Sequence, residues 1–303
     1  MTRSYVPLLL LLASIWGASY LLIKVGIRDF EPTTLMSLRM LLAFVPLFAF
    51  LCFRRGSVRR AAGDLRATAR AGFLLGLAYG AIPFTLIAWG EKHVDSGVAA
   101  IANSTVPIFV VLLAIRFKPS ERVSGLRLLG VGIGLVGVAI LVGVHPRGGW
   151  WAVAGTLAVV LSSLSFACGG LYGQTRAGHA DATVLATTSM LCGGLVLLPF
   201  GVVQMPGHVP GWKPIAALLA LAFVGTALAQ LILYRLLGSH GASKTALVAY
   251  LLPALALFYG ALILGEPVTA SALGGLAVIL AGVALGSGVL RDRFRRPAAA
   301  PAP

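Results

Sequence analysis

Residues 97–116 read GVAAIANSTVPIFVVLLAIR, and the only charged side chain in this run of 20 residues is the final arginine. An α-helix needs about 20 apolar residues to cross the roughly 30 Å of hydrocarbon in a bilayer. A transmembrane β-strand is about ten residues long and alternates in polarity, and this run does neither. The stretch therefore predicts a membrane-spanning helix that Pro107 interrupts.

The same pattern recurs on both sides of this run. Apolar stretches between breaks rich in Gly, Pro and charge predict ten spans, at residues 5–24, 33–53, 71–91, 97–116, 125–144, 150–172, 183–203, 214–236, 244–264 and 271–290. Only 11% of the 303 residues are charged and 58% are hydrophobic, whereas about 25% are charged in a soluble domain. We therefore predict an all-α integral membrane protein with ten transmembrane helices, and a soluble enzyme is excluded.

The basic residues indicate how the chain is oriented. The 24 Lys and Arg exceed the 9 Asp and Glu, which gives a net charge of +15. If the amino terminus is cytoplasmic, 18 basic residues fall on the cytoplasmic side and five on the other, while Arg39 alone lies within a span. The positive-inside rule then places both termini in the cytoplasm. The arginine-rich segment 54–70 is interpreted as a topology anchor that touches acidic lipid headgroups, and no nucleic-acid partner is expected.

The two halves of the chain resemble each other. The segment around Pro107 matches the segment around Pro253 at an offset of 146 residues, and the following segments match at 145. The pairs at 145 are Glu121 with Glu266, Gly130 with Gly275, and Gly137 with Gly282. Five spans in each half would invert the second copy, and inverted repeats are typical of transporters. We predict a first five-helix repeat at 1–145, a second at 146–290, and a basic, then disordered cytoplasmic tail at 291–303.

In the order and spacing of these features the chain resembles the EamA-like group of the drug/metabolite transporter superfamily. The matching features are Trp16-Gly17 with Ser19, Pro32 followed by Arg39 and Ala43, the Pro107 and Pro253 helices, Leu264-Gly265-Glu266, and the Gly-rich fifth and tenth spans. The resemblance implies a carrier of the bacterial inner membrane, commonly an exporter of amino acids or other small metabolites. The first half departs from the pattern of the family, because Lys118-Pro119-Ser120-Glu121 stands where Gly-Glu is usual.

Arg39 is the basic residue that topology does not explain. It lies seven residues beyond Pro32, or about 10 Å down a helix. A guanidinium at this depth costs about 3 kcal/mol on insertion scales, so it should face the interior of the bundle. Glu31, Glu91 and Glu266 are candidate partners. Two interpretations stay open, namely capture of a substrate carboxylate and a structural clamp that ties the second span to a neighbour.

Polar, aromatic and proline residues inside the spans are candidates for the substrate pathway. They are Trp16, Ser19, Tyr20, Arg39, Tyr79, Asn103, Pro107, Tyr172, Gln230, Tyr250 and Pro253. Each aromatic residue also fits ordinary packing. Glu91 and Glu266 are the candidates for coupling or gating. Because the first span lacks the glutamate with which small multidrug carriers of the superfamily bind cations, the sequence favours a zwitterionic, anionic or neutral substrate.

We therefore predict a secondary transporter that works by alternating access around a central cavity, without ATP. No cofactor or metal is expected, because the three cysteines and five histidines show no ligand spacing. An enzyme is not expected, because no serine-histidine pair, acidic dyad or zinc motif lies at membrane depth. A channel-like facilitator or a lipid-moving protein is the alternative. Glycine pairs at four-residue spacing favour packing within the monomer, and a homodimer stays open.

Overall fold

A computed structural model describes residues 5–117, 125–142, 149–177, 180–245 and 247–286 of the chain, and the regular elements in these ranges are all helices. The α-helices are α1 (Tyr5–Gly26), α2 (Pro32–Arg55), α3 (Val58–Ala67), α4 (Ala69–Gly76), α5 (Ile82–Glu91), α6 (Ser96–Asn103), α7 (Val106–Phe117), α8 (Gly125–Val142), α9 (Gly149–Arg176), α10 (Ala182–Val203), α11 (Trp212–Ala222), α12 (Ala229–Thr245), α13 (Val248–Tyr259) and α14 (Ala270–Gly286). Three π-helical segments join or extend them, namely π1 (Leu77–Ala81), π2 (Phe223–Leu228) and π3 (Gly260–Leu264). The predictions for Glu121 and for the tail at 291–303 lie outside the described residues.

Several of these helices are long and apolar enough to cross a membrane. Within the described ranges there are seven, at Tyr5–Gly26, Pro32–Arg55, Ala69–Gly90, Ser96–Leu113, Gly149–Thr175, Ala182–Val203 and Trp212–Gly241. The predicted fifth, ninth and tenth spans coincide with shorter apolar helices at Leu128–Leu141, Val248–Leu264 and Ala270–Leu285. The helical class is therefore as predicted, and seven of the ten predicted spans reach full spanning length.

Local sequence sets several of the helix ends. Pro32 is the first residue of α2, where its fixed φ suits a helix start and its missing N–H is not needed. Gly56 ends the same helix in the left-handed region, at φ 65°. Asp181 caps α10 by accepting hydrogen bonds from the backbone N–H groups of Thr183 and Val184. Its pKa is lowered, because these N–H groups and the charge of Arg54 outweigh the partial burial that acts to raise it.

The bundle has two ends, the Glu91 end and the Arg54 end. The Glu91 end carries the last residues of α1 and α5 and the first residues of α2 and α6, joined by contacts such as Lys92 Nζ to Glu31 Oε2 at 2.6 Å. The Arg54 end carries the last residues of α2 and the start of α10, joined by Arg54 Nη2 to Asp181 Oδ2 at 3.2 Å.

Glycines set how closely the helices approach each other. A β-carbon built on Gly137 of α8 would lie 2.6 Å from Ile279 Cγ1 of α14, and one built on Gly282 would lie 2.6 Å from the main-chain oxygen of Gly130. The helices α8 and α14 therefore cross backbone to backbone. Gly90 of α5 meets Gly155 of α9 in the same way. These glycines let helices of the same chain pack closely against each other.

Candidate functional site

Arg39 lies inside the bundle, as predicted, with 4% of its surface exposed. Its Nε donates to Oγ1 of Thr226 in π2 at 2.8 Å, and its guanidinium carbon lies 4.1 Å from the ring centre of Phe84 in α5. The Oγ1 of Thr226 in turn donates to the main-chain oxygen of Leu221 at 2.8 Å, which fixes its position. Arg39 thus joins α2 to α5 and to π2 through a charge-assisted hydrogen bond and a cation–π contact.

The guanidinium has no anionic partner in the described part of the chain. No carboxylate oxygen there lies within 4.0 Å of it. Its two Nη atoms carry four N–H donors, and Nη1 contacts Met36 Sδ at 3.9 Å. Of the three predicted partners, Glu31 binds Lys92, Glu266 binds α6, and the carboxyl group of Glu91 has no hydrogen bond in the described residues. The guanidinium of Arg39 is therefore a buried cation with more N–H donors on its Nη atoms than the described residues accept from.

Asn103 forms a polar cluster next to a helix break. The chain leaves the helical path at residues 104–105, between α6 and α7. The Nδ2 of Asn103 donates to the hydroxyl of Tyr20 at 2.7 Å, and its Oδ1 accepts from Oγ of Ser163 at 3.1 Å and of Ser162 at 3.3 Å. Tyr20 belongs to α1 and the two serines to α9, so Asn103 holds the break between these helices.

Aromatic rings connect Tyr79 of π1 with the surroundings of Arg39. Tyr79 in π1 is 44% exposed, and its ring meets Phe166 of α9 edge-on at 5.2 Å. Phe166 lies 6.1 Å from Phe84, the ring under Arg39. The rings therefore form a path from Tyr79 to the guanidinium.

Glu266 binds the start of α6 at the Glu91 end. Gly265 ends π3 in the left-handed region, at φ 69°, and so turns the following residue back toward the bundle. The Oε1 of Glu266 accepts from the backbone N–H of Ser96 at 3.0 Å, and its Oε2 accepts from the hydroxyl of Ser96 at 2.7 Å and the N–H of Gly97 at 3.3 Å. A negative charge at a helix amino terminus is favourable, so Glu266 acts as a cap supplied from a distant part of the chain.

Comparison with known proteins assigns this arrangement to a family. The family model described as the EamA-like transporter family matches residues 3–143 and, a second time, residues 153–288. The chain belongs to the EamA-like transporter family. It is therefore a membrane transporter, and its apolar helices make it a multi-pass membrane protein.

Relatives of this EamA-like transporter carry transport names. A probable amino-acid metabolite efflux pump of Salmonella typhimurium is 27% identical over 308 residues, which cover 98% of this chain and 99% of the relative. The uncharacterized inner membrane transporter YedA of Escherichia coli is 29% identical over 225 residues, covering 73% of this chain and 68% of that protein. One protein of known crystal structure matches 97% of this chain and 100% of its own with a TM-score of 0.65 and 17% identity, which shows a shared fold.

The remaining predicted pathway residues of the EamA-like transporter are spread along the bundle. Trp16 packs against a smaller apolar cluster around Leu12 and Leu236. The Oγ of Ser19 donates to the main-chain oxygen of Ile15 at 3.0 Å. The side chains of Tyr172, Gln230 and Tyr250 are half-buried, on α9, α12 and α13.

The two prolines occupy different environments. Pro107 is the second residue of α7, directly after the break at residues 104–105. Pro253 lies inside α13 and is buried. The predicted interruption therefore occurs at Pro107, whereas at Pro253 the helix continues through the proline.

Four residues of the site are absent from the sequence-based selection. They are Phe84 and Thr226, which contact Arg39, and Ser162 and Ser163, which donate to Asn103. Ser162 and Ser163 form a serine pair inside an apolar run, and such a pair could have been selected by the reasoning that selected Asn103. Thr226 and Phe84 carry no such signal, because their roles come from tertiary contact with Arg39.

Proposed function

We propose that this EamA-like transporter is a secondary carrier that exports small amino-acid-like metabolites by alternating access, with Arg39 as the binding group for the substrate carboxylate. The observation that carries this proposal is the burial of Arg39, 4% exposed, without a carboxylate partner in the described residues. The name of the Salmonella relative supports the amino-acid class.

The environment of Arg39 fits both capture and clamping. Thr226 and Phe84 hold the guanidinium from two sides, and its Nη donors remain for a ligand. Removing a charge from water costs several kcal/mol, and an anion with good geometry offsets this cost. A carboxylate accepts two parallel hydrogen bonds from a guanidinium, which fixes its orientation. The clamp therefore positions the group that binds substrate.

The Asn103 cluster supplies neutral polar groups for the rest of a zwitterion. The hydroxyl of Tyr20, the side chain of Asn103 and the hydroxyls of Ser162 and Ser163 meet at the break between α6 and α7. Broken helices at mid-membrane depth are a common feature of substrate sites in transporters. These groups suit an ammonium or a polar side chain of the substrate.

Three features support two inverted five-helix repeats. The family model matches each half separately. The segments π1 and π2 begin at Leu77 and Phe223, 146 positions apart, the same offset as in the sequence repeat. The first helix of each half packs against the other half. In the first half α1 packs on α11 and α13 of the second, and in the second half α9 packs on α4, α5 and α7 of the first. Rocking of the two halves about the Arg39 region would give alternating access.

We propose that the Arg54 end is cytoplasmic, with both termini on that side, and that the membrane is the bacterial inner membrane. The side chains of Arg59, Arg60, Arg66 and Arg70 are exposed at this end, which fits the positive-inside rule. The name of the YedA relative supports the inner membrane.

Counterflow in proteoliposomes tests the proposal. Vesicles loaded with a mixture of unlabelled amino acids should take up a labelled amino acid saturably, while the corresponding amino-acid amides, which lack the carboxylate, should not compete. Arg39→Gln should abolish this exchange, and Arg28→Gln, which changes an exposed arginine of the Glu91 end, should leave it intact. Normal exchange by folded Arg39→Gln protein would refute carboxylate capture. Flux without saturation would favour the alternative, a channel-like facilitator, and movement of labelled lipid would favour a lipid-moving protein.

A further inference from the structure

Glu91 differs from the other acidic side chains whose contacts are described. It is the last residue of α5 and is fully buried, and neither carboxyl oxygen has a hydrogen-bond partner in the described residues. The acidic residues with partners are Asp29 with the N–H of Gly211, Glu31 with Lys92, Asp64 with Arg55, Asp181 with Arg54, and Glu266 with the start of α6.

Burial of this kind favours a neutral carboxyl group. An ionised carboxylate removed from water and left without hydrogen bonds costs several kcal/mol, whereas the protonated group costs far less. From these contacts we propose that Glu91 carries a proton in the conformation described here, and that it releases the proton when the Glu91 end opens to water. This inference rests on the proposed carrier function and adds proton coupling to it.

Charged and ionisable groups surround Glu91 from several elements. Lys24 and Tyr20 belong to α1, Arg39 belongs to α2, and Glu266 lies in the segment before α14, and each of them interacts electrostatically with Glu91. On the side of α9, Gly155 and Val159 pack against Gly90. Asp95, in the turn before α6, interacts with Lys24 and Glu266. Two cations are therefore near Glu91 when it ionises.

Lys24 links the protonation state of Glu91 to the structure at the end of α5. Its Nζ donates to the main-chain oxygen of Glu91 and, at 2.7 Å, to that of Val94, so it holds the carbonyl groups at the end of α5. When the Glu91 O–H bond breaks, the proton passes to water and the electron pair stays on the carboxylate. The ammonium of Lys24 then has a nearby anion to pair with and leaves the carbonyl groups.

The change of partner at Lys24 also affects the start of α6, which Glu266 caps. Residues 91–95 lead directly into α6, whose first turn Glu266 caps. Releasing Lys24 from the carbonyl groups of Glu91 and Val94 frees this turn, and with it the start of α6. Protonation of Glu91 therefore stabilises the arrangement described here, and loss of the proton favours opening at this end.

Infrared difference spectroscopy tests the proton site without any substrate. The purified full-length protein in liposomes should show the carbonyl stretch of a protonated, buried carboxyl group at neutral pH. Glu91→Gln should remove this band, while the exposed control Glu31→Gln should keep it. A band that persists in Glu91→Gln, or its absence from the wild type, would overturn the proposal.

Transport under a pH gradient tests the coupling. Vesicles loaded with an unlabelled amino-acid mixture should move label faster under a pH gradient than at equal pH. In Glu91→Gln the ratio of the two rates should fall to one, and Glu91→Asp should restore part of the response. Exchange in the wild type with no response to the gradient would overturn coupling while leaving the carrier function standing. Absence of all exchange would overturn the carrier function, and with it the coupling, even if the infrared band shows a protonated Glu91.

Discussion

Replacing Glu266 by Ala removes the carboxylate that holds the start of α6. Three hydrogen bonds disappear, from the N–H and hydroxyl of Ser96 and from the N–H of Gly97. Ser96 is fully buried, so water does not easily replace the lost acceptor at its N–H. The variant therefore leaves at least one unsatisfied donor at a helix amino terminus.

The expected loss of stability follows from these contacts. Loss of a helix cap costs about 0.5–2 kcal/mol, and leaving a buried donor unsatisfied costs about 1–3 kcal/mol. The two overlap, so we expect about 2–4 kcal/mol in all. The matched control is Glu31→Ala, which removes the same charge from the same end. The carboxylate of Glu31 is half exposed and pairs with Lys92 at the surface, so its loss should cost about 0–1 kcal/mol.

Thermal unfolding in detergent measures the difference. A thiol-reactive dye reports unfolding through the half-buried side chains of Cys52 and Cys192. The melting temperature of Glu266→Ala should fall by about 5–10 °C, and that of Glu31→Ala by only about 0–3 °C. Gly260→Ala should act in the same direction as Glu266→Ala, because its β-carbon would overlap the Glu266 carboxylate and lie 2.8 Å from the hydroxyl of Ser96. Equal shifts for Glu266→Ala and Glu31→Ala would refute the capping role.

Three further predictions concern other contacts. Gly282→Ala should destabilise the protein by about 1–3 kcal/mol through overpacking at the crossing of α8 and α14. The control Gly132→Ala should not, because its β-carbon meets nothing within 4 Å. Equal melting temperatures of the two variants would contradict the close crossing. The pKa of Asp181 is lowered, so its ionised form stabilises the folded protein above the ordinary pKa of about 3.9, and this stabilisation is lost as the pH falls through the pKa of the folded state. The melting-temperature difference between wild type and Asp181→Asn should therefore shrink below about pH 4. Tyr20→Phe removes the oxygen to which Asn103 donates and should cost about 1 kcal/mol of stability, read from the same melting assay; an unchanged melting temperature would argue against the bond.

The length of the apolar runs predicts most of the fold, because a helix in lipid must form all its backbone hydrogen bonds internally and remain apolar over about 20 residues. The break near Pro107 is also predictable, and the structure places it at residues 104–105, just before the proline. The π-helical segments are not predictable in this way. They depend on how neighbouring helices pack, and no residue type in π1 or π2 marks the extra residue per turn.

The candidate site is predicted in part, for a related reason. Arg39, Asn103 and Tyr20 are polar residues inside apolar runs, and their cost in lipid makes them visible in the sequence. Glu91 and Glu266 look equivalent in the sequence, since both lie near span ends. Tertiary contacts separate them, because Glu266 reaches the N–H groups of α6 whereas Glu91 faces no donor in the described residues.

The glycine crossing between α8 and α14 has a mechanical consequence. Sliding of packed helices is normally limited by interlocked side chains, which must change rotamer before one helix passes the other. At Gly130, Gly137, Gly275 and Gly282 the facing surfaces are largely main chain, so few rotamers need to change. The crossing therefore lets α8 and α14 slide past each other with few rotamer changes, which is the kind of joint that the proposed rocking of the two halves requires.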